Sequence, residues 1–104
     1  MADEPLEKTI VMHVLAYINA IDGAYAHKVH GGAYGNNGEP DVDAVINGRA
    51  VKLECKRPKG SRLTKLQQRA LDRWAAAGAV TGVVTCVGDV EALFLDAGII
   101  RPVP

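Results

Sequence analysis

Hydrophobic residues recur at a helical spacing near the N-terminus of the chain. Apolar positions there follow one another at intervals of three and four residues, which predicts an amphipathic helix over residues 5–21. Asp22-Gly23 ends this helix, because glycine readily adopts the left-handed conformation of a C-cap. The apolar positions that define the helix are Leu6, Ile10, Val14, Ile18 and Ile21.

Alternating polar and apolar positions then predict three short strands. They cover residues 24–30, 41–46 and 50–57, and a glycine-rich loop over 31–38 separates the first from the second. Asn47-Gly48 lies between the second and third strands, which predicts a tight hairpin.

The second half of the chain returns to helical periodicity. A helix is predicted from Thr64 to just before Gly78, a buried strand over residues 80–87 and a short helix over 89–97. Leu63, Leu66, Ala70, Leu71 and Trp74 form the apolar face of the first of these helices. The order α-β-β-β-α-β-α predicts an α/β fold, with a small mixed sheet flanked by helices in a single domain over residues 1–104.

Composition changes this picture little. Apolar residues make up 48% of the chain and charged residues 23%, values typical of a soluble globular protein. The acidic start is unlike a secretory leader, and no apolar stretch suits a membrane span, so we expect a protein of the cytoplasm. Cys55 and Cys86 are predicted to be small core residues, neither a zinc pair nor nucleophiles.

Charge is unevenly distributed along the chain, although the formal net charge is zero. Eight of the twelve Lys and Arg residues fall between Lys52 and Arg73, whereas seven of the twelve acidic residues lie between Asp3 and Asp43. Zero net charge argues against a polycation that coats nucleic acid, but a basic centre suits contacts with phosphates. The candidates for such contacts are Lys52, Arg57, Lys59, Arg62, Lys65, Arg69 and Arg73, and an ordinary solvated helix face remains the alternative for the last three.

The hairpin strands carry the candidate chemistry. In the third strand Lys52, Glu54 and Lys56 share one face, an alternation that an exposed antiparallel strand would also show. In the second strand Asp41 and Asp43 occupy positions where aspartate is disfavoured. Paired across the hairpin, these carboxylates and an ammonium group form an oxygen-ligand site for a hard cation.

Two helical residues interrupt apolar faces and can point towards the same site. Glu7 lies on the apolar face of the first helix, and Gln67 on that of the helix that follows the hairpin. A buried carboxylate or amide is costly without partners. Compensation of the helix dipole is the alternative for Glu7, and an amide at the edge of the core is the alternative for Gln67.

These residues together resemble a known nuclease family. Gly38-Glu39-Pro40-Asp41, twelve residues, and then Glu54-Cys55-Lys56 resemble the PD-(D/E)xK signature. The extension of Glu54-Cys55-Lys56 through Arg57-Pro58, followed by Leu63-Thr64-Lys65-Leu66-Gln67, is similar to the VRR-NUC family of stand-alone phage and bacterial nucleases. The resemblance implies a restriction-endonuclease-like core.

The resemblance also implies roles for individual residues. It makes Asp41, Glu54 and the Cys55 backbone carbonyl ligands of Mg²⁺ or Mn²⁺, with Glu7 and Asp43 as further candidate ligands. It makes Lys56 the catalytic lysine and Gln67 a supporting residue, although Asp43 stands where the family more often has an apolar residue.

The activity that we expect is metal-dependent hydrolysis of DNA phosphodiester bonds. The resemblance implies a homodimer that acts on branched DNA such as four-way junctions, in a bacterial or phage-infected cell. Two alternatives stay open from the sequence, namely a nuclease-fold module that binds DNA with little turnover, and a nuclease directed at RNA.

Overall fold

The computed structural model describes residues 6–30 and 38–103, which form a four-stranded sheet with helices packed against it. Most of the predicted loop at 31–38, including Tyr34, lies outside the described residues. The α/β class and the predicted element order are confirmed. The elements are α1 (Glu7–Asn19), β1 (Ala24–Lys28), β2 (Val42–Ile46), β3 (Arg49–Cys55), α2 (Lys65–Ala76), β4 (Val80–Val84) and α3 (Val87–Asp96).

The sheet is mixed and has the strand order β1-β2-β3-β4. The first three strands pair antiparallel, and β4 pairs parallel to β3 through the crossover helix α2. The predicted hairpin joins β2 and β3, and both of its loop residues have positive φ, 47° at Asn47 and 86° at Gly48. Positive φ at both positions is what a two-residue turn of type I′ requires, so the hairpin register is set locally.

The main core lies between one face of the sheet and the helices α1 and α3. The alternate β3 residues Val51, Leu53 and Cys55 are fully buried on this face. Gly82 of β4 allows α3 to approach closely, because a Cβ atom there would lie 2.8 Å from Leu93 Cδ2. The helices supply Ile10, Val11, Val14, Ile18, Val90 and Phe94 to this core.

Helix α2 packs on the opposite face and covers it only in part. Lys52, which alternates with the core residues of β3, has its Nζ 3.9 Å from the centroid of the Trp74 ring. Leu71 is buried, but Leu66, on the predicted apolar face of α2, is 53% exposed.

Three sequence predictions near the C-terminus need correction. The strand predicted to reach residue 87 ends at Val84, and Cys86 is the exposed N-cap of α3 instead of a core residue. Asp89, predicted to be the N-cap, lies inside the first turn and accepts hydrogen bonds of 2.8 Å from the Thr85 backbone N–H and hydroxyl. Those bonds lower the pKa of Asp89.

No helix among residues 6–30 and 38–103 is both long and apolar enough to cross a membrane.

A substitution at Gly38 tests whether α2 packs closely against the segment that leads into β2. We expect Gly38→Ala to destabilise the protein more than Gly60→Ala, since a Cβ atom at Gly38 would lie 2.9 Å from the Leu66 carbonyl carbon. Both glycines have positive φ, 88° and 79°, so both variants carry a backbone cost of about 1–2 kcal/mol. Only Gly38 adds the steric overlap. Urea denaturation measures the difference, and equal free energies of unfolding for the two variants would contradict the close approach.

Candidate metal centre

Asp41 is fixed between two strands just before β2 begins. Its carbonyl oxygen accepts a hydrogen bond of 2.7 Å from the Val29 N–H, and its carboxylate Oδ2 accepts one of 2.8 Å from the Cys55 N–H. The preceding residue, Pro40, is buried. The Asp41 carboxylate is therefore held at the carboxyl end of β3.

Glu54 is the buried charged residue among those that the structure describes. Its side chain is 1% exposed, and its Oε1 atom has no hydrogen-bond partner. Burial raises the pKa of Glu54 to about 9, and the hydrogen bond and negative charge of Asp41 act in the same direction. The nearby Lys56 ammonium opposes this pKa shift. The free-energy cost of removing Glu54 Oε1 from water is therefore not offset by a hydrogen bond.

Glu7 completes a cluster of three carboxylates, which we call the acidic cluster. One carboxylate oxygen from each of Glu7, Asp41 and Glu54 lies within 4.8 Å of the others. Glu7 is half-buried in the first turn of α1, where a negative charge also offsets the helix dipole. Three acids brought together repel one another unless a proton or a cation lies between them. The unpartnered Glu54 oxygen and the all-oxygen donor set fit Mg²⁺ or Mn²⁺.

Lys56 and Cys55 follow Glu54 directly and differ in environment. The Lys56 N–H donates to the Val84 carbonyl oxygen at 2.9 Å, which fixes its backbone against β4. Cys55 is fully buried in the core, as predicted, and burial raises the pKa of its thiol to about 12. The thiol therefore stays protonated at neutral pH, so a thiolate of Cys55 is available neither as a nucleophile nor as a ligand.

Asp43 lies apart from the acidic cluster. It pairs across the hairpin with Lys52, whose Nζ is 2.6 Å from Asp43 Oδ1, and its Oδ2 is 3.5 Å from His27 Nε2. The structure therefore brings Asp41 to Glu54 but places Asp43 beside two basic groups. The strand repeat explains this, because residues two apart on one face are separated by about 7 Å along the strand.

Gln67 forms the capping box of α2. Its Oε1 accepts from the Thr64 N–H at 2.9 Å, and its N–H donates to the Thr64 hydroxyl at 3.1 Å. Thr64-x-x-Gln67 is a recognisable capping pattern that accounts for this glutamine without a catalytic role. The predicted supporting role of Gln67 stays a prediction.

Comparison of the fold with solved structures decides which architecture this is. A solved VRR_NUC domain superimposes with a TM-score of 0.69, covering 85% of this chain and 92% of that one, at 22% sequence identity. The fold is that of a VRR-NUC domain. No protein-family profile and no curated protein matches the sequence. At this identity the likeness establishes the VRR-NUC fold, and the chemistry must be argued from the residues.

The predicted DNA-binding residues fall in one stretch of the VRR-NUC fold, from β3 into α2. Lys59 and Arg62 lie exposed in the segment between β3 and α2, and Lys65 and Arg69 lie exposed on α2. Arg57 is half-buried. Lys52, by contrast, has a side chain only 12% exposed and is occupied by Asp43 and Trp74.

Two residues beside the site were not assigned a role from the sequence. Trp74 Nε1 donates a hydrogen bond of 2.9 Å to Glu39 Oε2, which ties α2 to the residues just before Asp41. Periodicity placed Trp74 on an apolar helix face, and nothing in the spacing indicated a partner 35 positions away.

The raised pKa of Glu54 predicts a specific dependence of stability on pH. The pKa of Glu54 is 4.5 ordinarily and about 9 in the folded protein. At pH values between these two, the folded protein therefore keeps a proton on Glu54 that the unfolded chain releases. This contribution to the free energy of unfolding is therefore fully present below pH 4.5 and is lost as pH rises through that window. In EDTA, the free energy of unfolding of wild type should fall by about 1 kcal/mol per pH unit between pH 4.5 and about 9, and Glu54→Gln should remove this fall. Urea denaturation across that pH range measures the decline.

The matched control for this prediction is Asp96→Asn, an exposed acid at the end of α3. It should keep the wild-type pH profile. Superimposable profiles for wild type and Glu54→Gln would show that the Glu54 pKa is not raised.

Proposed function

We propose that this chain is a metal-dependent DNA endonuclease that hydrolyses phosphodiester bonds. The acidic cluster carries the proposal, above all the buried Glu54 with its unpartnered oxygen beside Lys56. A module that only bound DNA would gain nothing from a cluster of acids, because burying a carboxyl group costs free energy and no carboxyl group attracts phosphate. The VRR-NUC fold, a nuclease fold, supports the same activity.

Asp41, Glu54 and the Cys55 backbone carbonyl would hold Mg²⁺ or Mn²⁺, with Glu7 as a further ligand or as a ligand of its water. When bound, the ion would supply Lewis-acid polarisation of the scissile phosphate. The Cys55 N–H already orients the Asp41 carboxylate, so one ligand is positioned in advance. Glu54 must release its proton for the site to fill, which links metal affinity to pH.

Lys56 would position the attacking water and stabilise the negative charge that develops on the phosphoryl oxygens. The water oxygen forms a bond to phosphorus as the bond from phosphorus to the 3′-oxygen breaks. The water loses one proton to solvent, and the departing oxygen gains one. The products are a 5′-phosphate and a 3′-hydroxyl.

Substrate binding would rest on the basic residues next to the acidic cluster. Arg57, Lys59, Arg62, Lys65 and Arg69 provide charge for phosphate contacts, and four of the five are exposed. Such contacts give affinity without sequence preference and weaken as salt is added. We expect Asp43 to act indirectly, by fixing Lys52 beneath Trp74.

We further propose that the enzyme acts on branched DNA as a symmetric homodimer in the cytoplasm of a bacterial or phage-infected cell. One chain provides one acidic cluster, whereas cutting two strands of a junction calls for two sites related by a two-fold axis. The cysteines Cys55 and Cys86 are both free thiols, which suits a reducing compartment.

Cleavage of a labelled four-way DNA junction tests the proposed activity. Wild type should cut it with Mg²⁺ or Mn²⁺ and not in EDTA, and Glu54→Gln should abolish cutting. Lys56→Ala should lower the rate by about 10²–10⁴-fold, because it removes one positioned catalytic group. The same variant should keep its affinity for Mn²⁺.

The control Asp96→Asn should cut at the wild-type rate. Linear duplex, flap and RNA substrates run in parallel rank the substrate classes. If the DNA is retarded in a gel but stays uncut with every metal, for wild type and variants alike, the enzyme proposal is refuted and the chain is a DNA-binding module.

A further inference from the structure

A groove runs along the exposed side of α2, and we call it the α2 groove. One wall consists of α2 residues spaced three or four apart, including Leu66, Arg69, Arg73 and Trp74, and Glu39 forms part of the other. Its volume is about 540 Å³, within the range of about 300–1,000 Å³ of ligand sites. The groove therefore combines an aromatic ring with two guanidinium groups.

Trp74 is held in a fixed orientation within this groove. Its indole N–H donates to Glu39 Oε2 at 2.9 Å, and the Lys52 ammonium lies 3.9 Å from the ring centroid. Lys52 is itself paired with Asp43 at 2.6 Å. Since Lys52 does not line the groove, the ring offers the groove a surface that the ammonium leaves uncovered.

The residues that hold Trp74 belong to the segments that carry the acidic cluster. Glu39 lies two residues before Asp41, and Lys52 lies two residues before Glu54. Anything bound against Trp74 is therefore placed at a fixed position relative to the acidic cluster.

The chemistry of the groove favours a nucleotide. An aromatic ring stacks on a base of any sequence, and neighbouring guanidinium groups bind the phosphates on either side. The Glu39 carboxylate does not cancel this, because it accepts the indole N–H and is outnumbered by Arg69 and Arg73. Paired bases hide their faces within the stack of a duplex, so only an unpaired nucleotide presents a face to Trp74.

We propose that the α2 groove binds one unpaired nucleotide of the DNA substrate, with its base against Trp74 and its phosphates at Arg69 and Arg73. This inference rests on the proposed function and adds to it a binding site for single-stranded DNA beside the catalytic centre. A flap, or a junction whose base pairs open at the branch point, supplies such a nucleotide next to the scissile bond, and continuous duplex does not.

Trp74 is the single tryptophan of the chain, so its fluorescence reports directly on the groove. The experiment titrates the full-length protein in EDTA with a blunt hairpin duplex closed by a non-nucleotide linker, and with the same hairpin carrying a single-stranded extension. Fluorescence anisotropy of labelled DNA measures total binding in parallel. Stacking of a base on Trp74 should quench its emission with the extended hairpin and leave it nearly unchanged with the blunt one.

Variants then separate stacking from general charge. Arg69→Gln and Arg73→Gln should each weaken binding of the extended hairpin, whereas Arg101→Gln, an exposed arginine outside the groove, should not. Trp74→Ala should lose about 10-fold or more in affinity for the extended hairpin, and Trp74→Phe should retain most of it because phenylalanine still stacks. Affinity for the blunt hairpin should be the same in both tryptophan variants.

The proposal is overturned if DNA binds by anisotropy while Trp74 emission stays constant, if both hairpins quench equally, or if no DNA binds. Cleavage with Mn²⁺ but no response of Trp74 would refute the groove site and leave the nuclease proposal standing. A selective response of Trp74 without cleavage under any condition would refute the nuclease proposal and support the groove site.

Discussion

The burial of Glu54 beside Asp41 is the main electrostatic constraint at this end of the sheet. A carboxyl group that is 1% exposed, with one oxygen lacking a partner, opposes folding unless a proton or a cation neutralises it. The raised pKa shows that a proton meets this need when no metal is bound. The same arrangement, with Glu7 added, is an oxygen-lined site whose occupation by a divalent cation would offset the cost.

The fold around this constraint is organised to hold the carboxylates in place. The hairpin at Asn47-Gly48 sets the register of β2 on β3, and that register brings Asp41 to the end of β3 that carries Glu54. The hydrogen bond from the Cys55 N–H then fixes the Asp41 carboxylate. On the face of the sheet opposite the main core, Trp74 contacts Glu39, two residues before Asp41, and Lys52, two residues before Glu54. The segments that carry Asp41 and Glu54 are thus tied to α2 by side-chain contacts.

The sequence predicted the elements of the fold, because strand alternation and the Asn-Gly turn act locally. It also singled out Asp41 and Glu54 on the paired strands and Glu7 on the first helix as residues that can point towards one site, and their carboxylates do lie together. It could not tell that Asp41 belongs to the acidic cluster and Asp43 does not, because this depends on the residue that each aspartate faces across the hairpin. Asp43 faces Lys52 and forms an ion pair with it. The sequence mistook Cys86 for a core residue because apolar composition does not reveal where an edge strand ends. The bond between Trp74 and Glu39 joins distant positions and leaves no periodic signal.

Calorimetric titration of the full-length protein with Mn²⁺ near neutral pH, in two buffers of different ionisation enthalpy, measures whether Glu54 gives up its proton to a metal ion. A metal site built on Glu54 must displace the proton that this residue holds up to a pKa of about 9. Mn²⁺ binding to wild type should release about one proton. This release should be lost in Glu54→Gln. Mn²⁺ binding with no proton release, or identical binding by wild type and Glu54→Gln, would contradict this account.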